Sequence, residues 1–392
     1  MAPRTPPASL GTALADILTP ALLCSMPTLE ANEARMRTLL RGTGVALRPH
    51  AKLHKSEAFA KWHMEASADE PIKGFCAQTV RETASCLRAG SKDVLLTNSL
   101  PRHGAMSLGE LAAAFPAAKV STLVDCAAHV DTLEAAARAY STRLGAFIEI
   151  ECGQDRCGCA PASDTAVALA KSLVASDVLS FEGLHVYHGA IQHVRATADR
   201  QKCVDDGPAS AARATVAKLE QAGIRVPLVT GGGTGTFREE LKAGTHQELQ
   251  PGSYLVMDGD YGNNDEFKGV GAAADFGQAL FLHATVIHCN VDAGKRVVDC
   301  GSKAVDLVSG MPRATSIVDA ALAARLEQTS FKSGGDEHGI ILGVAADDLP
   351  VGATVQIIPS HCDPTVNLHD WMVGVRDGVV DKLFEIDARG PG

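Results

Sequence analysis

The stretch GAFIEIECG, residues 145–153, is followed by the helical pattern DTAVALAKSLVAS (164–176) and then by a second apolar run, FEGLHVYHG (181–189). Both runs are short and rich in residues that favour strands. The segment between them places apolar residues three and four positions apart, which is typical of an amphipathic helix. A strand, a helix and a further strand in this order predict a βαβ unit with two parallel strands. The repetition of this unit along the chain decides the fold.

Eight apolar runs, most of them separated by helical patterns, predict eight strands. They are VALRPHAK (45–52), GFCAQT (74–79), DVLLTN (93–98), KVSTLVD (119–125), GAFIEIECG (145–153), FEGLHVYHG (181–189), RVPLVTGGG (225–233) and LQPGSYLVMD (249–258). This alternation is typical of a (β/α)8 barrel of the TIM type. A doubly wound open sheet is the alternative, which periodicity alone does not distinguish. Polar residues at the carboxyl ends of nearly all these strands favour the barrel, since barrel enzymes build their sites on that rim.

The character of the sequence changes after the eighth strand. Runs such as ALFLHATVIHC, TVQIIPSHCD and VVDKLFEI look like strands joined by turns, with one helical stretch near SIVDAALAARL. We therefore expect a (β/α)8 barrel at residues 27–270 and a mostly β domain at residues 271–392. The segment TPALLC (19–24) precedes the first helix. We expect residues 1–26 to pair with the C-terminal sheet.

Composition excludes several classes of function. The 392 residues are 46% hydrophobic and 21% charged, with a formal net charge of −10. There is no basic block, so nucleic acids and anionic membranes are poor partners. No apolar run reaches transmembrane length, and the first residues do not form a convincing secretory signal. We expect a cytoplasmic protein, with a short organellar transit peptide as the alternative.

The chain contains eleven cysteines, an odd number. In a large chain without a secretory signal, this indicates free thiols in a reducing compartment. The cluster ECGQDRCGC (151–159) would need a second cysteine pair at zinc spacing to form a metal knuckle, and none follows. We therefore interpret its cysteines as loop thiols.

The first predicted strand carries an unusual set of cations in LRPHAKLHKS, residues 47–56. Residues two apart in a strand share a face, so Arg48, His50 and Lys52 are expected to point to the same side. A lysine crowded by cations and partly removed from water has a lowered pKa, which suits the amine of a Schiff base. Pairing of Lys52 with an acid of a neighbouring strand is the alternative, and this strand alone favours neither.

The glycine-rich turn TGGGTGT (230–236) follows the seventh predicted strand and precedes a short helical segment, FREELKAG. Such a turn presents backbone N–H groups to an anion. A second turn of this kind, QPGSY (250–254), lies in the eighth strand. Barrels commonly bind phosphate with the loops after strands seven and eight. A phosphate cradle facing a lysine of the first strand is the arrangement that pyridoxal phosphate (PLP) requires.

A third group of polar residues occurs in PSHCDPTVNLHD, residues 359–370. His361 and Asp363 are two residues apart, so on a strand they would share a face and Cys362 would point away. One imidazole and one carboxylate form half of a site for a divalent cation of the Mn, Mg or Zn type. A His–Asp hydrogen bond before the proline turn is the alternative.

Together these groups resemble the metal-activated D-threonine aldolases and, more broadly, the fold-type III PLP enzymes of the alanine racemase type. The resemblance spans roughly residues 19–390 and rests on RPHAKLHKS, CAQTVRE, GQDRCG, YHGAIQH, TGGGTGT, ELQPGSYLVMD and PSHCDPTVNLHDWMVGVRDG. It implies an alanine racemase-like fold, with PLP on the barrel and a metal site in the β domain. It also implies a homodimer, because such enzymes commonly pair head to tail.

The resemblance assigns roles to individual residues. Lys52 carries the PLP imine, with Lys55 as the weaker candidate, and His361 and Asp363 bind the metal. The remaining cofactor contacts are Gly233, Thr234, Gly252, Ser253 and Tyr254 to the phosphate, Arg156 to the pyridine nitrogen, and Gln78 and Tyr187 along the cofactor. The candidates for the general base are His193, a metal-bound hydroxide and His338.

The second metal ligand separates the two nearest families. D-serine dehydratases resemble this chain but have a His-x-Cys pattern that suits zinc, whereas Asp363 is a harder oxygen donor that suits Mn or Mg. The resemblance therefore implies a PLP- and divalent-metal-dependent aldolase. Such an enzyme cleaves D-threonine and other D-β-hydroxy-α-amino acids to glycine and an aldehyde. The alternatives are a D-serine dehydratase, which eliminates to pyruvate and ammonia, and a non-catalytic PLP-binding barrel.

Overall fold

The structure is a computed structural model that describes residues 5–70, 72–268 and 275–390. These residues form two compact units. The unit called here the barrel unit contains the described residues of Arg37–Lys52 and Ala60–Gly252. The unit called the β unit contains those of Met1–Met36, Leu53–Phe59 and Ser253–Gly390.

The strands of the described residues are β1 (Ala21–Ser25), β2 (Ala46–Leu47), β3 (Phe75–Ala77), β4 (Asp93–Leu96), β5 (Lys119–Val124), β6 (Leu144–Ile150), β7 (Leu179–Val186), β8 (Val229–Gly231), β9 (Glu248–Leu249), β10 (Leu280–Asn290), β11 (Lys295–Val298), β12 (Arg313–Thr315), β13 (Ser330–Ser333), β14 (Gly339–Leu342), β15 (Thr354–Ile358), β16 (Trp371–Arg376) and β17 (Val379–Glu385). Their α-helices are α1 (Met26–Leu40), α2 (Glu57–Ala66), α3 (Val80–Arg88), α4 (Arg102–Ala114), α5 (Ala127–Ala139), α6 (Asp164–Ala175), α7 (Thr197–Asp206), α8 (Pro208–Gln221), α9 (Phe237–Ala243), α10 (Ala320–Leu326) and α11 (Cys362–Val366). Within this part of the chain, no helix is long and apolar enough to cross a membrane.

The barrel unit contains an eight-stranded parallel sheet with the order β2-β9-β8-β7-β6-β5-β4-β3. The sheet closes on itself, because His50 after β2 forms a parallel bridge with Cys76 in β3. The Cys76 N–H also donates to the Pro49 carbonyl oxygen at 2.9 Å. An open doubly wound sheet would leave two free edges. The (β/α)8 barrel predicted from the sequence is therefore confirmed.

Alternation along the strands divides the barrel core into two layers. The side chains of Cys76, Leu95, Leu123 and Phe147 form an apolar cluster of their own, one residue from each of four neighbouring strands. The alternate strand residues belong to the larger core that also contains the buried faces of the helices. The barrel is thus filled by side chains, so a functional site has to lie on its rim.

The eighth predicted strand is much shorter than the run LQPGSYLVMD suggested. The β9 strand ends at Leu249, and Ser253–Leu255 form a 3-10 turn instead. Pro251 has no N–H for a strand ladder. The Met257 N–H bonds to the Ser253 carbonyl oxygen at 2.7 Å, so the apolar residues that suggested a strand pack as a buried turn in the β unit.

The β unit is built on a mixed nine-stranded sheet in the described residues. The central β1 strand pairs antiparallel with β10 and parallel with β16. Its residues Leu22, Leu23 and Cys24 are fully buried. The antiparallel neighbours β16 and β17 complete one edge, and β10 connects to the β11, β14 and β13 strands on the other.

The unit boundaries differ from those expected at residues 26 and 270. Most of α1 belongs to the β unit, because the Asn32 Nδ2 donates to the carbonyl oxygens of Leu255 at 2.9 Å and Gly277 at 2.8 Å. The turn that begins at Ser253 also belongs to this unit. The boundary expected between residues 270 and 271 lies outside the described residues.

Candidate active site

Arg48 is buried inside the barrel and is paired with two acids. Its Nε lies 2.8 Å from Glu248 Oε1, and its Nη1 lies 2.8 Å from Asp93 Oδ1. Its charge is therefore compensated, and the expectation that it crowds Lys52 with positive charge is wrong. The sequence pattern could not show this, because both acids are distant from Arg48 in the sequence. His50 lies further along and contacts Thr97 Oγ1 through Nε2 at 3.1 Å.

The two candidate lysines of the first motif have different environments. Lys52 is half-buried and lies in the 3-10 turn Ala51–Leu53. Its backbone N–H donates to His50 Nδ1 at 3.3 Å. Lys55 is buried, and its Nζ donates to the Asp363 carbonyl oxygen at 3.1 Å. An ammonium held on a backbone carbonyl is poorly placed to serve as a nucleophile. The geometry therefore favours Lys52, a residue of the barrel unit, over Lys55.

A directed chain of buried hydrogen bonds runs through the barrel. Thr230 Oγ1 donates to Glu248 Oε1 and accepts from Gln250 Nε2, each at 2.8 Å. The oxygen of Gln250 is then the acceptor for His185 Nε2 at 3.3 Å. With its proton on Nε2, His185 has a lone pair on Nδ1. That nitrogen is buried and has no hydrogen-bond partner in the described part of the chain.

Glu149 and His185 are held close together, both with shifted pKa values. Their Oε1 and Nδ1 atoms are 3.8 Å apart. Burial raises the pKa of Glu149 to about 7, an effect that the Arg156 guanidinium partly offsets. Burial lowers the pKa of His185 to about 3, so its ring is neutral at physiological pH. This pair therefore places a neutral acceptor beside a carboxyl group that titrates near neutrality.

Arg156 and Tyr187 lie at the rim, next to this pair. Arg156 Nη2 is 3.9 Å from Glu149 Oε1. Its guanidinium carbon is 5.5 Å from the centre of the Tyr187 ring, in the range of a cation–π contact. The Tyr187 ring in turn lies 6.4 Å from the His185 ring, centre to centre. The structure thus brings together two predicted cofactor residues, although their contact to a cofactor stays a prediction.

The glycine-rich turn after β8 is packed around Gln192. The Gly235 N–H donates to Gln192 Oε1 at 2.9 Å, and Gln192 Nε2 donates to Thr236 Oγ1 at 2.8 Å. A Cβ atom on Gly233 would lie 2.6 Å from Gln192 Oε1, and one on Gly235 would lie 2.3 Å from the Gln192 carbonyl oxygen. A side chain is therefore excluded at Gly235, where the clash is with backbone, and one at Gly233 would displace the Gln192 amide. The backbone is held in the close-packed form that anion-binding turns use.

The other predicted phosphate contacts are distributed over both units. Thr234 is buried in the barrel unit, and a Cβ atom on Gly252 would lie 2.9 Å from the His50 carbonyl oxygen. Ser253 and Tyr254 belong to the β unit and are buried. The Tyr254 hydroxyl donates to Glu33 Oε2 at 2.7 Å. A phosphate contact of Tyr254 would therefore have to come from its backbone.

Three further predicted residues differ in their burial. Gln78 is half-buried at the end of β3, where its Nε2 donates to the Thr97 carbonyl oxygen at 3.2 Å. His193 ends the 3-10 turn Ala190–His193 and is exposed. His338 is an exposed residue before β14. The assignment of either histidine as the general base stays a prediction.

His361 and Asp363 lie together in the β unit, but not on a strand as predicted. The β15 strand ends at Ile358, His361 is the N-cap residue of α11, and Asp363 lies in its first turn. His361 Nε2 is nevertheless 3.8 Å from Asp363 Oδ2. A cation with bonds of about 2.1 Å can bridge two donors at this separation. The predicted pair is therefore close enough to share one metal ion.

Asp258 holds His361 from the other side. Its Oδ2 lies 2.9 Å from His361 Nδ1 and accepts the Cys362 N–H at 3.0 Å. Its Oδ1 accepts the N–H groups of Asp260 at 3.1 Å and Tyr261 at 2.9 Å. Both carboxylate oxygens thus accept hydrogen bonds, an arrangement that suits Asp258 to orient His361. When the Nδ1–H of His361 donates to Asp258, Nε2 keeps its lone pair for a metal.

Cys362 does not point away from its neighbours as a strand would require. Because it begins α11, its sulfur lies 3.4 Å from Asp363 Oδ1 and near the donor atoms of Asp258 and His361. Burial raises the pKa of the Cys362 thiol well above its usual value. The protonated thiol donates to Asp363. The His361 imidazole and the Asp363 carboxylate therefore remain as the metal donors, since neither has to lose a proton first.

The residues present fit both groups that the fold family uses. For PLP, the barrel offers a glycine turn that excludes side chains and a buried ring nitrogen, His185 Nδ1, without a partner in the described residues. For a divalent cation, the β unit offers an oriented imidazole beside a carboxylate. Sequence reasoning missed Asp258, His185 and Gln250. Asp258 closes the motif ELQPGSYLVMD, which was the only signal for it in the sequence.

The pH dependence of stability provides a test of the Glu149 environment. A carboxyl group whose pKa is raised to about 7 in the folded state, from an ordinary 4.5, binds its proton more tightly when folded. Stability is therefore lost as the pH rises from about 4.5 to about 7. Between pH 5.5 and pH 8, the free energy of unfolding of the wild type should fall by about 2 kcal/mol relative to that of Glu149→Gln. Urea unfolding at the two pH values measures this difference.

Glu151→Gln is the matched control for that experiment. Backbone N–H groups, chiefly that of Asp155, lower the pKa of Glu151. Its contribution to stability is lost only as the pH falls through this lowered value, so no difference from the wild type is expected between pH 5.5 and pH 8. An identical pH dependence of wild type and Glu149→Gln would show that Glu149 is ionised throughout this range.

Comparison with known proteins identifies the class that this fold and site define. The family of alanine racemase N-terminal domains matches residues 25–260. The putative serine dehydratase domain matches residues 279–375. The chain thus combines an alanine racemase-type barrel, the domain of the fold-type III PLP enzymes, with a serine dehydratase-type β domain.

Full-length relatives define the family more closely. The chain is 35% identical to the 3-hydroxy-D-aspartate aldolase of Paracoccus denitrificans (strain Pd 1222), over 98% of this chain and 96% of that protein. It is 37% identical to the D-threonine aldolase of Arthrobacter sp., again over 98% and 96%. The crystal structure of D-threonine aldolase from Filomicrobium marinum matches with a TM-score of 0.88 and 34% identity, covering 98% of this chain and 99% of that one. This chain belongs to the family of these D-threonine and 3-hydroxy-D-aspartate aldolases.

Proposed function

We propose that this chain is a PLP- and divalent-metal-dependent lyase that cleaves D-threonine and other D-β-hydroxy-α-amino acids to glycine and an aldehyde. The observation that carries the proposal is the pair His361 and Asp363, whose donor atoms lie 3.8 Å apart while Asp258 orients the imidazole. Its relatives are named as aldolases for D-threonine and 3-hydroxy-D-aspartate. A D-serine dehydratase and a non-catalytic PLP-binding barrel are the alternatives.

The barrel residues would bind and orient the cofactor. Lys52 would hold it covalently, and the turn containing Gly233 and Thr234, with Gly252 and the backbone of Ser253 and Tyr254, would hold its phosphate. Arg156, Gln78 and Tyr187 would contact its ring. Bound PLP supplies the electron sink that a carbon–carbon cleavage requires.

The β unit residues would position the hydroxyl group of the substrate. His361 Nε2 and Asp363 Oδ2 would hold a divalent cation, which supplies a Lewis acid that lowers the pKa of a bound hydroxyl. Asp258 would keep His361 in the tautomer that leaves Nε2 free. His193 is the proposed base that takes the hydroxyl proton.

The donor set favours Mn²⁺ or Mg²⁺ over Zn²⁺. Asp363 contributes a hard oxygen, and the adjacent thiol of Cys362 donates to that carboxylate instead of standing in the second ligand position. Hard oxygen donors suit Mn²⁺ and Mg²⁺, whereas thiolates suit Zn²⁺. We also propose that the enzyme is a homodimer, because the family resemblance implies one, and that it is cytoplasmic, because its cysteines are free thiols.

The proposal is tested by following aldehyde formation from D-threonine and L-threonine before and after chelation. We expect cleavage of D-threonine alone, loss of activity in chelator and recovery on adding Mn²⁺. The cation is held by two side chains of the chain, so exhaustive chelation should remove it. Full activity after complete metal removal, or cleavage of L-threonine alone, would contradict the proposal.

The role of Asp258 gives a separate prediction. In Asp258→Asn the acceptor for the His361 Nδ1 proton is weakened, so the imidazole is no longer held in one orientation. We expect the dissociation constant for Mn²⁺ to rise by about 10- to 100-fold, which is usual for such supporting groups. Calorimetric titration of the metal-free protein measures this without an activity assay.

Asp265→Asn is the matched control for Asp258→Asn. Asp265 is exposed, and its carboxylate pairs with Lys268 at 2.9 Å on the surface. Its replacement should leave the Mn²⁺ affinity unchanged. Equal affinities for Asp258→Asn and the wild type would show that Asp258 stabilises the turn and does not position His361.

A further inference from the structure

Three different metal-binding side chains meet at the carboxyl end of β5. A carboxylate oxygen of Asp125, the sulfur of Cys126 and a ring nitrogen of His129 all lie within 4.8 Å of one another. Asp125 follows the strand directly, Cys126 is the N-cap residue of α5, and His129 lies in the first turn of that helix. A strand end and a helix start hold all three in place. The function proposed above uses none of them.

The contact between His129 and Asp125 is close but is not a hydrogen bond. His129 Nδ1 lies 2.9 Å from Asp125 Oδ1. The same nitrogen is buried and has no partner with hydrogen-bond geometry in the described part of the chain. A nitrogen and an oxygen this close can coordinate one cation together.

The neighbouring loop at residues 151–159 brings a further thiol into this region. The loop is closed at its base, where the Glu151 N–H donates to the Cys159 carbonyl oxygen at 3.0 Å. It is tied to the group above by the Gly158 N–H, which donates to Asp125 Oδ2 at 3.1 Å. Cys157, the residue before Gly158, is exposed. The loop is thus anchored to the end of β5 through Asp125.

We propose that Asp125, Cys126 and His129 form a second metal site, separate from His361 and Asp363, that binds a borderline-soft cation such as Zn²⁺. A sulfur, nitrogen and oxygen donor set suits Zn²⁺, whereas Mn²⁺ and Mg²⁺ prefer oxygen. A water molecule would complete a tetrahedral set. Binding exchanges the proton of the Cys126 thiol for the cation.

The proposed site also has a structural consequence. One oxygen of Asp125 faces His129, and the other holds the loop through Gly158. A cation bound here would fix that loop on β5. The same loop carries Arg156, the residue proposed to contact the cofactor ring. Occupancy of the second site would therefore position Arg156 through the loop.

Co²⁺ is the probe, because its visible spectrum reports tetrahedral geometry and thiolate ligation. The PLP-loaded enzyme is freed of metal with chelator and titrated with Co²⁺. We expect two equivalents per chain, one of them with a thiolate charge-transfer band. Cys126→Ser and His129→Gln should each weaken that site by more than about 100-fold, which exceeds the effect of losing a supporting group. His361→Ala should remove the other equivalent and keep the band.

Cys203→Ser is the matched control, since Cys203 is a half-buried thiol on α7; it should retain both equivalents and the band. Binding of one equivalent only, or a thiolate band that survives Cys126→Ser and disappears in Cys362→Ser, would overturn the proposal. Retained PLP absorbance shows that each variant is folded. If His129→Gln fails this check, Cys126→Ser alone decides.

Discussion

Lys52→Ala should lose the visible absorbance of the bound cofactor together with its activity. The amine at this position, in the 3-10 turn Ala51–Leu53 of the barrel unit, is the one proposed for covalent attachment. Without it the cofactor can bind only through its phosphate and ring contacts. We expect kcat to fall by at least about a thousandfold, the scale of losing a positioned proton-transfer group. Absorbance spectra of the reconstituted variant and aldehyde assays measure the two effects.

Lys55→Ala is the matched control for the lysine assignment. Its Nζ is bonded to the Asp363 carbonyl oxygen, so its loss should leave the cofactor absorbance intact. Any effect should appear instead in the affinity for the divalent cation. If the absorbance persists in Lys52→Ala and vanishes in Lys55→Ala, the assignment of the imine to Lys52 is wrong.

The second large effect is expected for His361→Ala. This variant loses one of the two side chains that would hold the cation, while the barrel residues proposed to bind the cofactor are unchanged. The visible absorbance should therefore remain, and kcat should fall by about a thousandfold, since a Lewis acid is worth several kcal/mol and each 1.36 kcal/mol is a factor of ten. Added Mn²⁺ should not restore the activity within the range that saturates the wild type.

His288→Ala is the corresponding control. His288 is an exposed residue of β10 in the same unit, so its loss should change neither the absorbance nor the response to Mn²⁺. Unchanged kcat in His361→Ala, with full activity in chelator, would remove the metal from the mechanism. Loss of the cofactor absorbance in His361→Ala would indicate instead that the variant is misfolded or that this residue supports the PLP site.

The barrel could be predicted because most of its elements carry a local signal. In α6, for example, Leu169, Ala170 and Leu173 are buried on one face at the spacing that indicates a helix. Helix α7 gave no such signal and was missed. Its buried residues are Arg200 and Val204, and Arg200 is paired with Glu239 at 3.3 Å. Because α7 buries a charged residue that is paired with an acid, it lacks the repeat of apolar residues from which a helix is predicted.

The site could be predicted in its residue types but not in its local geometry. His361 and Asp363 lie close together, as expected. The strand that was expected to align them ends before His361, and the start of α11 aligns them instead. The same helix start brings Cys362 towards Asp363, where a strand would have turned it away. The compensation of Arg48 by Asp93 and Glu248 depends on contacts between residues that are far apart in the sequence. Such contacts are set by tertiary packing and cannot be predicted from the spacing of residues in one strand.

The most direct test of the proposed function is the product balance from D-threonine with the purified enzyme, PLP and Mn²⁺. Cleavage of the bond between Cα and Cβ predicts equal amounts of glycine and acetaldehyde, both lost on chelation. A dehydratase with the same fold would instead release 2-oxobutanoate and ammonia. Glycine and acetaldehyde in equal amounts would agree with the lyase proposed here, and 2-oxobutanoate with ammonia as the main products would contradict it.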